Sequence, residues 1–170
     1  MTSADATRAR LARFLVEAAS ELAALDRIAA EAAAYGPELD LPEPSPPVLA
    51  FFAVKLHDYF TATEALFERV ARAFDGDLPV GHGSHEALVD QMAADLAPSR
   101  PPVIDLALRH WLHDLRRFRH FFRHADSVTL EPAHVRRHVS GLATQHPAHR
   151  DALSRFIAFV ERTRDALIPT

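Results

Sequence analysis

Apolar residues return every three or four positions over long stretches of this chain, the period of α-helices that each turn one face to a core. In the first stretch, from about Asp5 to Tyr35, Leu11, Leu15, Ala18, Leu22, Leu25 and Ala29 fall on one stripe, and Gly36-Pro37 is the expected stop. Four prolines between Leu41 and Pro47 make a stiff connector. The second stretch, from about Pro47 to Asp75, keeps Leu49, Phe52, Leu56, Phe60, Thr63, Phe67, Val70 and Phe74 at helical spacing and is expected to exit through Asp75-Gly76-Asp77. A shorter third helix is predicted from about Ser84 to Leu96, with Ser84 as its N-cap. The fourth is predicted from about Pro102 to Ala125. The fifth opens at Pro132, where a missing N–H does no harm, and Pro147 is expected to kink or split it. Nothing reads as a strand. Long helices joined by short turns predict an all-α, antiparallel up-and-down bundle of about five helices. The expected organisation is a single domain over 1–170, with an N-terminal helix and connector over 1–46 and the main body over 47–168.

Composition narrows the function classes. At 170 residues and 48% apolar content, the chain can bury a substantial core without metal or disulfide support. It has no cysteine, so disulfides, thiolate metal ligands and a cysteine nucleophile are excluded together. No apolar run approaches the length of a membrane helix, and the N-terminus lacks a signal-peptide pattern, so a cytoplasmic protein with no membrane partner is expected. The net charge of −4 is unevenly spread. Residues 1–100 carry 8 Lys+Arg against 16 Asp+Glu, and residues 101–170 carry 11 against 7. Two readings follow: an anionic partner for the second half, or acidic and basic helices that neutralise one another inside the bundle.

The fourth helix concentrates the candidate chemistry. Ile104, Leu108, Trp111, Leu115, Phe118 and Phe122 form its apolar stripe. At about 100° per residue, Arg109, His113, Arg116, Arg117, His120 and His124 fall roughly opposite, with Asp114 and Asp126 as the acids among them. Arginine grips phosphate oxygens through two parallel hydrogen bonds and stays charged. Histidine moves protons near neutral pH. Cleavage of RNA through its own 2′-OH needs a base for that hydroxyl and a cation for the phosphorane, and Arg plus His supply both without a metal or other cofactor. The competing reading is a solvated basic face.

The same residues carry a resemblance. Arg119-x4-His124 resembles the Arg-x(4–6)-His motif of the HEPN superfamily, with His120 as the polar residue that follows the Arg. Leu56-His57-Asp58-Tyr59-Phe60-Thr61 through Leu66-Phe67-Glu68-Arg69-Val70-Ala71 resembles the second helix of its HepT-like branch. Asp75-Gly76-Asp77-Leu78-Pro79 and His85-Glu86-Ala87-Leu88-Val89-Asp90-Gln91-Met92 resemble that branch's loop and third helix. Arg116-Arg117-Phe118-Arg119-His120-Phe121-Phe122-Arg123-His124 resembles its motif helix, and the likeness covers roughly residues 48–165. The resemblance implies a metal-independent endoribonuclease that acts as a homodimer on RNA, with two motif helices lining one cleft. It also implies a toxin paired with a nucleotidyltransferase antitoxin. Arg119 and His124 would be catalytic, with His120 assisting. Arg116 and Arg123 are the candidate phosphate-binding residues.

One position departs from the pattern. The HepT-like motif continues His-x-Tyr, and the Tyr is the residue the antitoxin adenylylates; here the run is His124-Ala125-Asp126. Asp126 cannot take a Tyr-linked AMP, and its carboxylate would repel a nearby phosphate. Tyr59 is a candidate to replace the missing Tyr in space. Asp126 also keeps open a second function, a catalytically silent binding protein of the same fold for a nucleotidyltransferase or RNA. A third reading comes from the i, i+4 pairs His120/His124 and His134/His138, a His-ligated metal bundle. The neighbouring Arg119, Arg123 and Arg137 disfavour a bound cation there. Arg119 has a structural alternative, a boundary residue paired with Asp58 or Glu64.

Overall fold

The computed structural model describes residues 3–123 and 130–167, without the side chains of 121–123. Among the described residues five α-helices follow one another: α1 (Ser3–Leu39), α2 (Pro46–Val70), α3 (Ser84–Ala93), α4 (Leu106–Arg123) and α5 (Pro132–Asp165). A single π-turn, Ala71–Asp75, extends α2. There is no strand among the described residues, only an isolated antiparallel bridge between Leu96 and Arg100. The all-α bundle expected from the periodicity is what forms. Helix α2 lies at the centre and packs against α1, α3, α4 and α5, while α1 also runs against α5.

The apolar stripes do the packing. Leu11, Phe14, Ala18, Leu22, Leu25 and Ile28 of α1 are buried, as are Phe52, Leu56, Phe60 and Phe67 of α2. Phe14 meets Phe74 edge-on at a centroid distance of 6.0 Å, and Phe74 meets Phe156 at 5.5 Å. Full burial of each such side chain is worth about 1.5–3 kcal/mol, so this cluster secures α1 to α5 through the π-turn.

Several expected boundaries moved. Gly36-Pro37 does not stop α1, which runs another turn to Leu39 with Pro37 inside it. Proline's fixed φ is helical, and Leu39 is buried at 2% exposure. Arg136 of α5 then supplies the terminal partners, donating to the carbonyls of Leu39 at 2.9 Å and Leu41 at 2.6 Å. Pro147 does not split α5. Ser84 is not the cap of α3; that position belongs to Gly83, whose φ of 84° suits glycine. Helix α3 ends three residues short of the expected Leu96. Helix α4 begins at Leu106 rather than Pro102, and Asp105 Oδ1 accepts from the Leu108 N–H at 2.8 Å, an N-cap the sequence reading missed.

The connector from α3 to α4 is anchored from inside. Arg100, at 1% exposure, forks onto Asp75 through Nε–Oδ1 at 2.7 Å and Nη2–Oδ2 at 2.8 Å. Its remaining donors reach the carbonyls of Gln91, Ala94 and Pro101. A buried guanidinium requires this full set of acceptors.

Candidate active site at the end of the fourth helix

The polar side of α4 faces α3 and α5, and its charges are largely matched there. Glu86 and Asp90, one turn apart on α3, meet Arg116 at 2.9 Å and Arg109 at 2.6 Å. Asp90 also accepts from His113 Nε2 at 2.7 Å, and the Arg109 hydrogen bond leads in holding its carboxyl below the usual range. Arg117 and Arg137 share Asp114, at 3.3 and 2.5 Å. Burial pushes that carboxyl up, and the Arg137 bond together with His138 and Arg117 outweighs it to leave the group low. The uneven charge of the two halves of the chain is therefore, over much of α4, mutual neutralisation between neighbouring helices.

One turn further on, three elements converge. Glu64 of α2 is buried between Phe60 and Phe67 on its own helix. Its Oε2 lies 3.0 Å from Arg119 Nη1 of α4, and its Oε1 bonds His85 Nδ1 of α3. The guanidinium also stacks over the Phe60 ring, 5.4 Å from the centroid, and its Nε is buried without a hydrogen-bond partner among the described residues. The Arg119 side chain is 11% exposed, whereas His85 is 54% exposed. Burial raises the Glu64 carboxyl, and Arg119 and then His85 oppose that rise. Of the two acids proposed as structural partners for Arg119, Glu64 is the one that meets it.

Of the expected site residues, Arg119 and His120 are the last on the motif helix whose side chains are described, and His120 is exposed. Arg116 lies one turn before them, 22% exposed and bonded to Glu86. The backbone of Arg123 is helical; His124 and Asp126, and the side chain of Arg123, lie outside the described residues. Sequence reasoning named Glu64 only as a structural partner for Arg119, and for His85, at the start of the third helix, it preferred capping or solvent exposure over a place facing the cleft. The available signal was an acid on the α2 stripe, flanked by Phe60 and Phe67, where only a charged partner makes burial tolerable.

A second polar cluster lies between α2 and α5. Tyr59, fully buried, bonds His146 Nδ1 at 2.9 Å and His149 Nδ1 at 3.0 Å, and His146 Nε2 approaches Asp26 at 3.3 Å. Burial pushes the tyrosine up and brings His149 down to about 3. Tyr59 is thus engaged in the core with α5, which argues against its standing in for the missing motif tyrosine. The His146 end opens into a cleft of about 480 Å³ between α1 and α5, lined by none of the expected site residues. His138 packs on the Phe118 ring at 4.6 Å, and no group of three or more His, Asp or Glu side chains among the described residues is placed to hold a metal ion. No helix among them is long and apolar enough to cross a membrane.

The chain fits the profile of HepT-like proteins over residues 51–160, about two thirds of its length, from the second turn of α2 into the last turns of α5. Neither the curated proteins nor the solved structures contain a match. With α2, α3, α4 and most of α5 inside the matched span and α1 outside it, the chain belongs to the HepT-like family.

Proposed function

We propose that the protein is a metal-independent endoribonuclease of the HEPN type, acting in the cytoplasm as a homodimer and serving as the toxin of a pair with a nucleotidyltransferase antitoxin. The observation that carries this reading is family membership together with the Arg119-x4-His124 spacing, whose Arg119 lies in the last turns of α4. Arg119 stabilises the phosphorane charge, His124 transfers a proton and His120 assists. Arg116 and Arg123 hold phosphate oxygens. Arg116 can exchange Glu86 for phosphate at little cost, because Glu86 is 55% exposed and its ion pair is already solvated. The test is cleavage of total cellular RNA by the purified protein in EDTA, beside His124→Ala. RNA cut by the wild type and spared by the variant supports the reading, and RNA left intact by a folded wild type rejects it.

A second reading is a catalytically silent relative that binds a nucleotidyltransferase or RNA. Two observations favour it: Arg119 is already paired with a buried carboxylate, and Asp126 occupies the motif tyrosine position. Growth arrest on expression, relieved by Arg119→Ala, separates the two, since a silent protein produces no arrest.

A further inference from the structure

We propose that His85 is a second proton-transfer residue of this site, acting as the base for the RNA 2′-OH, with Glu64 as the residue that positions it. The inference rests on the ribonuclease reading above and extends it to a residue on a different helix.

The turn before α3 contains Gly81 and Gly83, both at positive φ (85° and 84°), and it starts the helix so that His85 sits in the first turn. From there its Nδ1 meets Glu64 Oε1. The other Glu64 oxygen holds Arg119, so one buried carboxylate sets an imidazole and a guanidinium at a fixed spacing. A carboxylate accepts, so His85 Nδ1 carries the hydrogen and Nε2 keeps its lone pair on the ring edge away from Glu64. More than half of the side chain remains exposed.

A purely structural role explains this arrangement poorly. Arg119, itself little exposed, is the larger of the two charges that oppose the burial of Glu64, and it occupies only one of the two carboxylate oxygens. The histidine is half in solvent and needs no buried acceptor of its own. What the bond does accomplish is to fix tautomer and ring orientation, as a carboxylate does for a catalytic imidazole. The carboxylate also stabilises the imidazolium that forms when Nε2 takes a proton.

The chemistry balances with two imidazoles. The 2′-OH gives its proton to His85 Nε2, and O2′ forms a bond to phosphorus while Arg119 faces the charge on the phosphoryl oxygens. The P–O5′ bond then breaks, and O5′ takes a proton from the second imidazole, which enters protonated. The products are a 2′,3′-cyclic phosphate and a 5′-OH end. No water, metal or oxidant is consumed.

The experiment uses the full-length protein with a short RNA in EDTA, comparing wild type, His85→Gln, His85→Asn, Glu64→Gln and Arg119→Ala. Rates are followed against pH, and binding is measured with the 2′-O-methyl form of the same RNA, which cannot be cut. Both His85 variants are expected to lower kcat by about 100-fold or more, to bind the blocked RNA within about threefold of wild type, and to lose the acid limb of the pH–rate profile. Glu64→Gln is expected to shift that limb and lower the rate less than His85→Gln. His85 variants that cut at the wild-type rate while Arg119→Ala does not would overturn the inference and leave the ribonuclease reading standing. A loss confined to binding, with kcat and both limbs unchanged, would make His85 a contact residue and also overturn it. If folded wild type cuts nothing at any pH, both readings fall together.

Discussion

Glu64 Oε2 lies 3.0 Å from Arg119 Nη1, and the two side chains, from helices α2 and α4, are 8% and 11% exposed. The pair links the last turns of the motif helix to α2. Removing one member strands the other charge in a poorly hydrated place. Glu64→Ala and Arg119→Ala should each lower unfolding free energy by about 2–4 kcal/mol, less than a fully buried pair would lose. Urea denaturation of the two single variants and the double checks this. The double variant should cost less than the sum of the singles, since the second removal strands nothing.

Arg100 supports a larger stability claim. It is fully enclosed and bonds both oxygens of Asp75 and three carbonyls of the connector. Arg100→Ala should cost about 3–5 kcal/mol, and Arg100→Lys should recover only part of it, because an ammonium cannot fork onto Asp75. Thermal unfolding of the three proteins tests the order.

His149 predicts an acid-sensitive fold. Burial lowers its pKa from 6.5 to about 3, and His146 beside it is lowered by burial as well. The folded state therefore holds His149 neutral, while the unfolded state binds a proton below pH 6.5. The contribution to stability is complete above pH 6.5 and is lost progressively as pH falls toward 3, reaching roughly 5 kcal/mol in that window. A His149→Gln variant, less stable at neutral pH, should show a flatter dependence between pH 6.5 and 4 in equilibrium unfolding. An unchanged slope would mean that other groups carry the acid sensitivity.

Asp126 predicts the outcome of an adenylylation assay. Incubated with ATP and a HepT-type nucleotidyltransferase, the wild type should gain no AMP at this position. Asp126→Tyr should gain one, seen by intact mass and located by peptide mapping. Modification of the wild type at residue 126 would contradict the reading of this departure.

Local sequence determined the helices. Stripes such as Leu11–Leu22 and Phe52–Phe67 report their own burial, because a helical face is set by neighbours three and four residues away. The ends were less legible. Leu39 and Arg136 decide where α1 stops, and they meet across 97 residues of chain. The motif spacing Arg119-x4-His124 and the Asp126 departure are properties of the chain in one dimension, and the sequence alone exposed them. Only the tertiary structure decided that Glu64 holds Arg119, that His85 joins them from α3, and that Tyr59 is committed to His146 and His149. Each of those choices is a contest among several acids or histidines at helical spacing. It is settled by which side chains the packing of α2 against α3, α4 and α5 brings within hydrogen-bond reach while withdrawing them from water.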